Sequence, residues 1–119
     1  MLRCSSSKSR PLPYISSAAR FFGSAHAEGI AAIHKERVRQ KSLFLAGKLP
    51  FDCASPVTDN RRKFLVLFEE CGEVAEAVDK LEAAGRHGIA FATQHLTTEL
   101  TQVAAVCVAW LESFEEVAR

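Results

Sequence analysis

The sequence predicts an all-α fold, a helical bundle completed by association with a second copy of the chain. Three observations carry this. Apolar residues recur at helical spacing in three successive segments. Two breaks rich in Gly, Pro, Ser, Asp and Asn separate those segments. The third segment carries a seam of apolar residues longer than two partner helices can cover. With 119 residues and 48% hydrophobic content, the chain has room for one compact domain.

Residues 1–27 contain Arg3, Lys8, Arg10 and Arg20 and no acid. The stretch is rich in Ser and lacks a long apolar core, so it reads either as an organellar transit peptide or as a disordered extension. The helical domain is expected over 28–119. Its first helix runs from Glu28 to about Ala46, where Ile30, Ile33, Val38 and Leu45 recur among charged residues. GKLPFDCASPVTDN, residues 47–60, is a loop, and Thr58 or Asp59 can cap the second helix. That helix runs from about Asn60 to Ala84 and stops at Gly85, in the short connection GRHG. A third extends from about Ile89 to Val117. There Leu96, Leu100, Val103, Cys107, Trp110 and Phe114 alternate steps of four and three, making the seam.

Charge and cysteine usage exclude several function classes. The whole chain carries Lys+Arg 15 against Asp+Glu 14. Setting the four leader cations aside leaves the remainder mildly acidic, and Arg61-Arg62-Lys63 is its only dense basic run. That balance argues against a nucleic-acid surface. Cys4, Cys53, Cys71 and Cys107 form no C-x-x-C pair and read as reduced thiols of an intracellular protein. The longest uncharged helical run, Leu100 to Leu111, is far short of the roughly twenty residues a membrane span needs. The expectation is a cytoplasmic protein without membrane attachment, or a mitochondrial-matrix one if residues 1–27 are a transit peptide.

The chemistry is concentrated in FEECGEVAEAVDK, residues 68–80. Taking Glu69 as zero, Glu70, Glu73 and Glu76 fall at about 100°, 40° and −20° round a helix, so the four share one face. The main apolar stripe, Phe64, Leu67, Phe68, Cys71, Val74, Ala75, Val78 and Leu81, lies on the other side. A solvated polar face would account for that division. Two details count against it. Only Glu76 has a cation one turn on, Lys80, and Leu65, Val66 and Ala77 on or beside the acidic face imply that this side is covered too. Glu99 repeats the pattern at the edge of the third-helix seam, with Gln102 one turn on and no Lys or Arg between Arg86 and Arg119. Partly desolvated carboxylates that repel one another require a counter-ion. Oxygen-only ligands suit Mg²⁺ or Mn²⁺ rather than zinc. His34, His87 and His95 lack metal-ligand spacing, and no Gly-rich phosphate loop or Ser-His-Asp arrangement is present.

Glu69-Glu70-Cys71-Gly72-Glu73 fits E-E-x-x-E. After a 25-residue spacer, Glu99-Leu100-Thr101-Gln102 fits E-x-x-D except at its last position. In this the chain resembles the MazG-like nucleoside triphosphate pyrophosphohydrolases, over roughly Ile30 to Phe114 and including the first-helix stretch ERVRQ. The resemblance implies a fold of the all-α NTP pyrophosphatase type, assembled as a homodimer or homotetramer. It also implies hydrolysis of an NTP or dNTP to the monophosphate and pyrophosphate with Mg²⁺ or Mn²⁺. Carried over by position, Glu69, Glu70, Glu73 and Glu99 are the catalytic and metal-binding acids, with Gln102 in the place of a metal-binding Asp. That amide removes one negative charge, which points to weaker metal binding, a single tightly held ion, or a catalytically weakened nucleotide- or metal-binding module on the same fold. Phosphate contacts are expected from Arg37, Lys41, Arg61, Arg62 or Lys63.

Overall fold

The computed structural model describes residues 21–118. The expected leader lies outside them as far as residue 20, and Cys4 with it. Three helices succeed one another: α1 (Ser24–Leu45), α2 (Asn60–Ala83) and α3 (Ile89–Ala118). No helix among the described residues is long and apolar enough to cross a membrane.

Helix α1 begins four residues before the expected Glu28. Gly23, in extended conformation, takes the N-cap position without a side-chain cap, and the Ala27 N–H donates to its carbonyl. The small residues Ser24, Ala25 and Ala27 lose little in entering a helix. At the other end Gly47 adopts φ 75°, a conformation that glycine reaches without a Cβ clash. The Gly47 N–H donates to the Phe44 carbonyl and the Lys48 N–H to that of Leu43. This paired closure satisfies the last carbonyls of the helix.

The loop between α1 and α2 is held by Asp52. Its carboxylate pairs with the Lys41 ammonium on α1 and accepts from the Ala54 N–H at 3.0 Å. Of the two expected caps for α2, Asp59 is the one used, its Oδ1 accepting from the Arg62 N–H at 2.7 Å. The Trp110 Nε1–H donates to Asn60 Oδ1 at 2.9 Å, tying α3 to the start of α2. Arg37 pairs with Glu112 at 2.6 Å and ties α1 to α3.

Both other helices pack on α3, and the packing is made by small side chains. The buried apolar residues of the described chain are Ala77, Ala92, Ala105, Val106 and Ala109. Many of the large ones face outward. On α2 the buried or half-buried positions are Lys63, Val66, Leu67, Glu70, Val74, Ala77 and Leu81, an arc about 100° wide with Glu70 near its centre. Val66 and Ala77 are therefore covered as expected, whereas Leu65 is exposed. Much of the main apolar stripe is outside: Phe64 is 53% exposed, Phe68 67% and Val78 39%.

On α3 the chain's own helices cover Ala92, Glu99, Ala105, Val106, Ala109 and Ser113. The heptad seam is rotated by roughly a quarter-turn from that face. Leu96, Val103, Cys107 and Trp110 are half-buried in it, and Leu100 and Phe114 are exposed. Cys53, Cys71 and Cys107 are free thiols.

Ala105 has no exposed surface, so the helices meet there without room for a longer side chain. Ala105→Leu is expected to cost about 1–3 kcal/mol through overpacking, read as a lower urea midpoint at unchanged slope. An undiminished midpoint would mean that this contact is not tight.

Candidate metal centre and the adjoining cavity

Glu70 and Glu73 stand one turn apart on α2, and Glu99 and Gln102 one turn apart on α3. Packing of α2 on α3 brings the four together. Carboxylate oxygens of Glu70, Glu73 and Glu99 lie within 4.8 Å of one another, with Glu99 buried, Glu70 half-buried and Glu73 on the exposed flank. Hydrogen-bond geometry orients the Gln102 amide with its nitrogen toward the acids, donating to Glu99 Oε2 at 2.9 Å and to Glu70 Oε2 at 3.2 Å. His95 Nδ1 lies 3.8 Å from Glu99 Oε1.

The cluster is electrostatically strained. Burial pushes the Glu70 carboxyl up to about 7, and the charges of Glu73, Glu99, Glu36 and Glu69 add to it. Glu73 is raised as well, first by loss of water around the carboxyl, then by its hydrogen bond to Glu99 and by the Glu99 and Glu76 charges. An oxygen-only set of this kind fits a hard divalent cation, which would remove the repulsion that holds protons on the acids. The Gln102 amide can turn its oxygen to such an ion but adds no charge.

Glu69 does not join the converging set. It lines, with Glu70, a cavity of about 340 Å³ between α1, the loop and α2. Leu43, Phe44, Leu49, Phe51, Val66 and Val106 form its apolar walls, and Arg37, Arg39 and Gln40 bring polar groups to it. Glu76, the fourth acid of the face, is exposed and acts on Glu73 only through its charge.

Of the expected phosphate contacts, only Arg37 reaches this cavity, and it is already paired with Glu112. Lys41 is paired with Asp52. Arg61 and Arg62 are exposed at the start of α2, with the Arg62 guanidinium 5.8 Å from the Phe51 ring centre. Lys63 is buried, two turns before Glu70.

Sequence reasoning missed Arg39, Glu36 and the Leu49–Cys53 loop. Arg39 holds Glu36 in a two-pronged hydrogen bond at 2.8 and 2.6 Å, which together with the Glu36 and Glu70 charges raises its pKa. The ERVRQ stretch contains both residues, so a signal was there, but periodicity alone does not say which of its side chains turn toward α2. Comparisons with family models, with curated proteins and with solved structures returned no match.

Glu70 holds a proton in the folded, metal-free chain at pH values where the unfolded chain has released it. Stability must then fall as pH rises through that window. The metal-free melting temperature is expected to drop between about pH 5 and pH 8. Asp52 does not offset this. Burial pushes its carboxyl up, but Lys41 and the Ala54 N–H outweigh that and hold it low, so its stabilisation is lost only in more acidic solution. Glu70→Gln should flatten the pH slope. Gln102→Asp should steepen it and tighten Mg²⁺ binding, as followed by calorimetry. Unchanged metal affinity and an unchanged slope in Gln102→Asp would remove residue 102 from the site.

Proposed function

We propose that the chain is a metal-dependent nucleotide pyrophosphohydrolase of the MazG-like kind, converting an NTP or dNTP to its monophosphate and pyrophosphate as nucleotide-pool housecleaning. One observation supports this above the rest: the three-carboxylate set spanning α2 and α3 opens beside an aromatic-walled cavity with room for one nucleoside.

In this reading Glu70, Glu73 and Glu99 hold Mg²⁺ or Mn²⁺, with the Gln102 oxygen as a neutral fourth donor. The ion supplies charge neutralisation at the triphosphate oxygens and makes the α-phosphorus more electrophilic. Phe44 and Phe51 flank the nucleoside, and Arg37 and Arg39 place positive charge beside its phosphates. Glu69 stands at the cavity wall outside the metal-binding set, which suits it to orienting the attacking water.

Gln102 also favours a second reading, a nucleotide- or metal-binding module with weakened catalysis, because its amide occupies the acids as a donor. Turnover separates the two. Purified protein screened against canonical and modified NTPs and dNTPs with Mg²⁺ or Mn²⁺ is expected to release monophosphate and pyrophosphate. Glu73→Gln or Glu99→Gln should reduce the rate by about two to three orders of magnitude, as loss of electrostatic stabilisation at a reacting phosphate does. Metal-dependent nucleotide binding without turnover would favour the module, and release of orthophosphate would count against both.

The assembly belongs to the same proposal. Among the described residues the buried apolar side chains are four alanines and a valine, and Phe64, Phe68, Leu100, Leu111 and Phe114 are exposed, which leaves a large apolar surface uncovered. A second copy covers it in a homodimer or homotetramer. Sedimentation should find no monomer at micromolar concentration, and Phe68→Asp or Leu111→Asp should dissociate the assembly. A well-folded monomer would overturn the proposal.

A further inference from the structure

A second cavity, of about 320 Å³, lies at the start of α2, away from the acids, with Thr58, Asp59, Asn60, Lys63 and Ser113 in its wall. Lys63 is its unusual member. The side chain is 2% exposed and makes no hydrogen bond or ion pair among the described residues. No buried side-chain nitrogen or oxygen there lacks both a partner and solvent. The Lys63 ammonium must therefore keep a window to solvent, and the cavity it lines provides one. With so narrow a window the ammonium is poorly hydrated and has no ion-pair partner among the described residues, so an anion in the cavity would stabilise it.

The rest of the cavity suits one. The N-terminal end of α2 carries the positive end of the helix dipole; Arg61 and Arg62, in the same turn, are exposed outside the cavity wall. Thr58 is 8% exposed and its hydroxyl is not used in a hydrogen bond among the described residues. Asn60 accepts from Trp110 through Oδ1, which leaves its Nδ2 donors to the cavity. The Ser113 hydroxyl is committed to the Trp110 carbonyl at 2.6 Å and offers only lone pairs. Asp59 is the one acid in the wall. It caps the Arg62 N–H and forms no ion pair with Lys63, so in the wall itself one cation stands with one carboxylate.

We infer that this cavity is an anion site for a small tetrahedral oxyanion of the phosphate class, held by the Lys63 ammonium, the Thr58 hydroxyl and the Asn60 amide. It is separate from the metal centre and does not depend on the pyrophosphohydrolase reading. Three donor groups around one cavity match an acceptor with several charged oxygens better than a planar carboxylate.

The test uses the full chain, stripped of metal, titrated with inorganic phosphate against chloride at constant ionic strength. The melting temperature of the parent should rise saturably, since a ligand that binds only the native state stabilises it by mass action. Lys63→Met keeps the buried stem and removes the charge, so it should fold at least as well as the parent without phosphate and lose the shift. Thr58→Val should weaken phosphate binding by about tenfold, the loss of one charge-assisted hydrogen bond. Glu73→Gln should leave the phosphate shift unchanged, which keeps this result independent of the metal centre. Absence of a saturable shift in the parent, as when an acid of a second copy already neutralises Lys63, overturns the site. An equal shift in Lys63→Met does so as well.

Discussion

The close approach of α2 to α3 through small side chains is the constraint on which the candidate site depends. Ala77 on α2 and Ala92 on the Glu99 face of α3 are all but fully buried, so the helix axes can lie near enough for the carboxylate side chains to meet across them. Glu70 and Glu73 then stand within reach of Glu99, and the Gln102 amide spans the gap from the α3 side. Leucines at the alanine positions would hold the helices further apart. The same acids would then be separate surface charges.

That proximity brings electrostatic cost. The carboxylates converge without an intrahelical cation to relieve them, and Glu70 responds by holding its proton to about 7. Gln102 relieves part of the repulsion by donating to two acids at once, where an Asp would have added to it. The cluster thus persists without an ion through a held proton and the Gln102 amide. Arg39 is near enough for its charge to act with Glu70, but its hydrogen bonds go to Glu36, so it does not neutralise the cluster.

A core of alanines has a second consequence. Burial of so little side-chain surface gives weak hydrophobic stabilisation, while Phe and Leu side chains of α2 and α3 stay outside. Small residues make the most buried contacts, while several large ones of α2 and α3 are presented outward. Lys63 shows the same inversion from the polar side: a residue of the basic run lies among the most buried side chains, while Phe64 next to it is exposed.

Much of the fold was legible in the sequence because it rests on local rules. Helix spacing, the Asp59 cap and the break around Gly85 give α2 and α3 to within a residue of their bounds, since each depends on backbone preferences of neighbouring residues. The sequence by itself also determined that Glu70 and Glu73, and likewise Glu99 and Gln102, must share a helix face. Only the tertiary structure decided which face turns inward. Periodicity fixes the angles among residues of one helix, but the rotation of that helix about its own axis is set by contacts with its neighbours. For this reason the stripe of Phe64, Phe68 and Val78 lies outside, Glu69 lines the cavity instead of joining the acids, and Glu36 and Arg39 arrive from α1. Lys63 ends in a cavity of its own for the same reason.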